Sequence, residues 1–302
     1  MLKTNFNEIV DLNGIGELNS RKLNDILKLA SAEEIEPAKE DKQKTLFLGI
    51  DLQNDFMEKG ELGVPNSHRD VENTLKFLYR NMNKITSIAV SIDTHLPHQI
   101  FHSSWWVNNE GKHPEPYTII SVEDINHKNW MAVENQQESL EYVHQLEKLG
   151  RMKLCIWPYH CIEGTYGAAL EGQFSNMIHF HSVARRTPIN KIVKGKNPLS
   201  EMYGIIKPEY DRKNYVNAEF LESLRGYDKI FIAGEAKSHC VLESLRQILE
   251  HFDEEVELTS RIYVLNDCMS PIPGFEQDTE ETLQRFQNKY KIHIVNSAEL
   301  AI

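Results

Sequence analysis

Six short segments of this chain are apolar almost throughout, at 45–51, 85–92, 189–193, 229–233, 261–265 and 292–295. A strand with one wet face alternates apolar and polar residues, whereas a strand covered on both faces does not. Amphipathic stretches are interleaved with these runs. Leu75, Leu78 and Tyr79 share a face within 71–82, and Val241, Leu242, Leu245, Ile248, Leu249 and Phe252 recur at three- and four-residue steps within 240–252. Further helices are expected at 220–224 and 279–290. The pattern predicts an α/β chain with a three-layer, Rossmann-like fold: a mostly parallel six-stranded sheet with helices on both faces. Ligands of such sheets bind outside the carboxyl ends of the strands.

Residues 1–44 read as an N-terminal helical extension and linker. Ser20 is the expected cap of a helix through Leu23, Ile26, Leu27 and Leu29, and the polar run 32–44, with Pro37, reads as a linker. The amphipathic part is expected to pack on the main domain, 45–302. Within that domain, 94–187 is too long for a plain crossover and holds an insertion at about 96–150, either a subdomain or a lid. It carries Trp105, Trp106 and Trp130 and a helix expected at 134–149.

A formal charge of −12 argues against a nucleic-acid surface, which needs clustered Lys and Arg, and the short cluster Lys191, Lys194, Lys196 does not reverse it. Four cysteines in 302 residues, none in a C-x-x-C pair, do not make a disulfide framework. The N-terminus lacks the apolar core of a signal peptide, and no apolar run approaches the ~20 residues of a membrane span. The expectation is a soluble, cytoplasmic protein without membrane or nucleic-acid partners.

Chemistry gathers where the strands end. The stretch from Ile230 to Cys240 reads as a buried strand, a tight turn and a cysteine in the first turn of a helix, where the helix dipole favours thiolate over thiol. An isolated cysteine is ordinarily a small core residue, so the reading depends on partners elsewhere. Asp51 closes the first strand, and a carboxylate there is either a cap or a paired, working group. Asp93 closes the second and makes an Asp-x-His fragment with His95, which suits a divalent metal. His102 and His160 could complete that site, whereas His98 and His113 read as surface or hydrogen-bonded histidines. Lys194 ends the third strand, where its charge would lower the pKa of a neighbouring thiol and carboxyl.

Four segments together resemble the isochorismatase-like cysteine hydrolases, and among them the nicotinamidases. They are Gly49 to Phe56, Asp93-Thr94-His95, Trp157 to Cys161 with Gly164 to Gly167, and Gly234 to Val241, and Lys194 falls in the expected gap. The joint match spans roughly 45–297. The resemblance implies a catalytic triad of Asp51, Lys194 and Cys240, and one divalent metal ion (Zn, Fe or Mn) on Asp93, His95 and His160 with His102 as a further candidate ligand. It also implies a cis peptide between Glu235 and Ala236 that aims the N–H groups of Ala236 and Cys240 at one oxyanion. Phe56 and Trp157 match aromatic positions of the nicotinamidase ring pocket. The expected activity is hydrolysis of a small carboxamide, nicotinamide first, through a Cys240 thioester, in a homodimer or homotetramer. Another amide, N-carbamoyl or ureido substrate on the same triad is the alternative. A non-catalytic binding protein, using the N-terminal helix and the Trp-rich insertion as partner surfaces, is a further one.

Overall fold

A computed structural model describes residues 2–150, 153–300 and 302; Met1, the first residue of the expected extension, lies outside them. The six expected strands are β1 (Thr45–Ile50), β2 (Ser87–Asp93), β3 (Ile189–Lys194), β4 (Lys229–Gly234), β5 (Ile262–Leu265) and β6 (His293–Val295). They form one sheet in the order β6-β5-β4-β1-β2-β3, with every neighbouring pair parallel. The chain builds outward from β1 to β3, then returns to the other side of β1 with β4. The reversal opens a crevice at the carboxyl ends of β1 and β4, where sheets of this kind bind ligands.

The principal helices are α1 (Leu23–Ser31), α2 (Ser67–Arg80), α3 (Gln136–Leu149), α4 (Gly172–Ala184), α5 (Ala218–Leu224), α6 (Leu242–His251) and α7 (Glu276–Tyr290). Strand periodicity divides the core into two layers. Phe47 and Phe231 point to one face, with Leu75 and Phe77 of α2, Phe174 of α4 and Ile26 of α1. Leu46, Leu48, Ile230 and Ile232 point to the other, with Leu221 of α5, Leu245 and Ile248 of α6 and Leu283 of α7. Each such side chain contributes about 1.5–3 kcal/mol by leaving water.

Three local expectations need correction. Ser20 is exposed and does not cap α1; Lys22 occupies the cap position without a side-chain bond. The preceding turn is set instead by Asn19, which donates to Gly172 O and accepts from the Arg21 N–H. The run 32–44 is a fixed strap: the buried Arg185 guanidinium grips both oxygens of Asp41 and the Glu36 carbonyl, and the Ala38 N–H donates to Arg185 O at 2.8 Å. Finally, Cys240 does not sit in the first turn of the α-helix. Lys237–Val241 form a wider π-helical turn, closed by Val241 N–H to Ala236 O at 3.3 Å, and α6 begins at Leu242.

The Trp-rich stretch is built around its own apolar cluster, in which Trp105, Trp106, Tyr142, Leu146, Leu154 and Ile156 are buried. The Trp105 indole donates to Ser139 Oγ at 2.9 Å and that of Trp106 to Ile100 O at 2.7 Å. These two rings hold the stretch together internally and are not free as a partner surface.

Candidate active site

The carboxyl ends of β1, β2 and β3 and the turn after β4 converge on one point. Asp51 leaves β1 with φ 47°, and its N–H donates to Ser91 Oγ at 2.8 Å while the Ser91 hydroxyl donates to Asp51 Oδ1 at 2.5 Å. Register places Asp93 opposite Lys194 across β2 and β3, and Ile50 opposite Gly234 across β1 and β4. Gly234 has φ 137°, and a Cβ there would lie 2.0 Å from Ile50 O, so only glycine lets the two strand ends approach this closely. The next peptide bond, Glu235–Ala236, is cis, at the position the resemblance implies.

Lys194 lies at the centre of the cluster, with no side-chain exposure. Its Nζ is 2.8 Å from Asp51 Oδ2, 3.2 Å from Asp93 Oδ1 and 3.8 Å from Cys240 Sγ, and it donates to Met202 O at 3.1 Å. Burial pushes Asp51 above the ordinary carboxyl range, against the pull of the Lys194 ammonium and with the push of Asp93. Burial likewise lifts the Cys240 thiol well above its usual value; Lys194 opposes that, and Asp51 and Asp93 add to it. The loss of water and two nearby carboxylates thus act against the thiolate form that a helix end favours. Cys240 is pushed toward the thiol, beside a carboxyl of raised proton affinity.

Next to this cluster, one oxygen or ring nitrogen from each of Asp93, His95 and His160 lies within 4.8 Å of the others. His95 Nδ1 faces Gly195 O at 3.1 Å and His160 Nδ1 faces Pro158 O at 2.8 Å, so each ring is held with Nε2 inward. His95 Nε2 stands 3.0 Å and His160 Nε2 4.0 Å from Asp93 Oδ2. Burial opposes the Asp93 charge, but His95 and Lys194 hold this carboxyl below the usual range; burial lowers His160 to about 3 and His102 to about 4. A carboxylate with two imidazoles is a donor set for a divalent cation. His102 stands outside the tight trio, its ring 6.1 Å from that of His95 and 6.4 Å from that of His160, yet its Nε2 is buried without a partner. Gly195, at φ 81°, is required here because a Cβ would lie 2.5 Å from Asp93 Oδ1.

Asp93, His95, His160 and Cys240 line one pocket, together with Phe56, Trp157 and Ala236. His98 and His113 lie elsewhere, bonded to Glu134 and to the Trp106 carbonyl. Sequence reasoning missed several wall residues. Glu201 is buried, and its Oε1 accepts from Trp157 Nε1 at 3.0 Å and from the Tyr203 hydroxyl at 2.6 Å. Burial raises it to about 7 against those bonds. Tyr203 and His239 complete the aromatic wall, their ring centroids 6.4 and 6.1 Å from that of Trp157. Glu201 and Tyr203 fall in an irregular segment after β3, where no periodicity marks an inward side chain. Gln53 was also missed: it accepts from Asp93 N–H at 2.7 Å and donates to Asp93 O at 2.8 Å, fixing that residue from both sides.

The fold is shared with solved nicotinamidase structures. No protein-family model and no curated protein sequence matches the chain. Among solved structures it is similar to a nicotinamidase/pyrazinamidase from Acinetobacter baumanii, at 17% identity and TM-score 0.56, over 87% of this chain and all of that one. It is similar to the yeast nicotinamidase Pnc1p at 20% identity and TM-score 0.57, over 84% of this chain and all of that one. A third, PnC1 from L. infantum in complex with nicotinate, has 14% identity and TM-score 0.52, over 89% of this chain and 98% of that one. At these identities the likeness carries the fold; no helix among the described residues is long and apolar enough to cross a membrane.

Proposed function

We propose that this chain is a cysteine amidohydrolase of small carboxamides, with nicotinamide as the expected substrate. The observation that carries the reading is the position of Lys194 Nζ, 2.8 Å from Asp51 Oδ2 and 3.8 Å from the sulfur of Cys240, a residue that lines the pocket. One negative charge can then pass from Asp51 to Cys240 without leaving the ammonium, so the proton transfer needs little reorganisation. Burial raises both groups in the same direction.

In the scheme, Asp51 takes the Sγ proton as sulfur bonds to the carboxamide carbon. The oxyanion that forms is received by the Ala236 and Cys240 N–H groups, a donor of this kind being worth ~3 kcal/mol. Asp51 returns the proton to nitrogen, the C–N bond breaks and ammonia leaves a thioester on Cys240. Water then attacks that carbon and gives its proton to Asp51; the C–S bond breaks and the thiolate recovers the proton. Phe56 and Trp157 would flank a flat ring. The trio of Asp93, His95 and His160, with the unpartnered His102 Nε2 beyond it, fits a divalent ion, and would hold zinc, iron or manganese. Such an ion supplies Lewis acidity and a bound water of lowered pKa.

Glu201 supports a second substrate class. A buried carboxyl on the pocket wall can accept from the extra N–H of an N-carbamoyl or ureido compound. Ammonia release across a panel of amides, run with metal analysis, tests both. Nicotinamide should be cleaved, purified protein should carry about one equivalent of metal, and chelation should reduce kcat/KM at least roughly tenfold, reversibly. Full activity in metal-stripped protein would remove the ion from the account; no cleavage of any amide would remove the amidase.

A further inference from the structure

Behind the nucleophile turn lie two carboxyls that the hydrolytic scheme does not use. Asp70, in the first turn of α2, is 4% exposed, and Glu235, immediately before the cis bond, is fully buried. Their side chains neighbour each other, close enough for each to shift the other's proton affinity. A bond between two carboxyls requires a proton, because carboxylates only accept. Asp70 Oδ2 and Glu235 Oε1 are buried with no N–H or O–H turned toward them, and among the described residues neither carboxyl forms an ion pair. The Ser270 N–H donates to Glu235 Oε2 at 3.4 Å, and the Ser270 side chain lies beside Asp70, whose proton affinity it lowers. The other titratable or charged groups that face the pair are Arg69 on α2 and Asp267 and Cys268 after β5.

The pair joins the start of α2 to two segments that build the pocket. Lys237 N–H donates to Ser270 O at 2.9 Å, and Ile272 N–H donates to Ser238 Oγ at 3.0 Å. The start of α2, the turn carrying Cys240 and the segment carrying the pocket residue Ile272 therefore meet around Asp70 and Glu235. We propose that Asp70 and Glu235 share one proton and act as a positioning pair for the Cys240 turn, so that losing this proton sets an alkaline limit on activity. Only the kinetic part of this proposal rests on the amidase reading.

The direction of titration agrees. Burial lifts Asp70 to about 6, with Asp267 adding to it and Glu235 opposing it; burial lifts Glu235 well above the ordinary range, with Asp70 adding to it. The first turn of α2 favours the ionised form of Asp70, which leaves the proton on Glu235. Both groups are raised on folding, so the folded state binds more protons than the unfolded one. The pair's contribution is complete below the ordinary carboxyl pKa and declines as pH rises through the folded values.

Infrared spectroscopy and a pH series test this. At neutral pH the wild-type protein should show the carbonyl stretch of a protonated carboxyl beside that of Glu201, a band that Glu235→Gln should lack. From about pH 6 to about pH 9, wild-type kcat/KM and thermal midpoint should both fall, kcat/KM by roughly tenfold or more. Glu235→Gln, whose amide donates to Asp70 at every pH, should lose that alkaline decline in both readouts; Asp70→Asn, which places the amide on the other side, should do the same if Glu235→Gln does not fold. Absence of the band in wild type, or an alkaline decline unchanged in the variants, would overturn the proposal. If no amide is cleaved, the band and the melting profile still decide it.

Discussion

Cys240→Ala abolishes ammonia release from nicotinamide, lowering kcat by on the order of 10⁴-fold or more, the scale of losing a covalent nucleophile. The fold survives the change. The sulfur lies at the pocket wall and the variant removes a single atom, leaving Lys194 still paired with Asp51 and Asp93. The thermal midpoint should therefore stay within a few degrees of wild type, and substrate should still bind. Activity retained by the folded variant would show that another group attacks the amide. Cys161 is no substitute: it is buried, outside the pocket lining, and burial lifts its thiol well above the usual range.

Lys194→Met has the largest expected effect on stability. Removing the ammonium leaves Asp51 and Asp93 buried without their shared counter-ion, a loss of about 3–5 kcal/mol when one partner of a buried pair is deleted. The variant relieves this by taking up a proton, and Asp51, already raised by burial, is the group to accept it. That removes the base, so activity should fall at least roughly 10²-fold at neutral pH. Because the relief is a protonation, the stability gap to wild type should narrow as pH falls. Urea unfolding at several pH values measures it; a gap independent of pH would show that Lys194 does not compensate these carboxylates.

What could be read from sequence was what burial imposes on composition. The strands show because a sheet covered on both faces demands apolar residues at every position, and Asp51, Asp93 and Lys194 stand out because they end such runs. Local rules failed where tertiary contacts replaced them. Ser20 has the right type for a cap, but Asn19, held by α4, sets the turn. The charged strap at 32–44 looked like solvent-loving linker because its partner, Arg185, lies far away in sequence. The resting state of Cys240 depends on two carboxylates brought in from other strands, which a helix-end argument on one segment cannot weigh. Glu201 and Tyr203 carry no periodic signal, and the pairing of Asp70 with Glu235 joins a helix start to a strand end.

The most direct measurement is peptide mass mapping of enzyme quenched in acid during turnover of nicotinamide. The account predicts a pyridine-3-carbonyl group on Cys240 alone, present during turnover, absent when substrate is exhausted and released by hydroxylamine. Ammonia formed at full rate with Cys240 never acylated under any quench would contradict it.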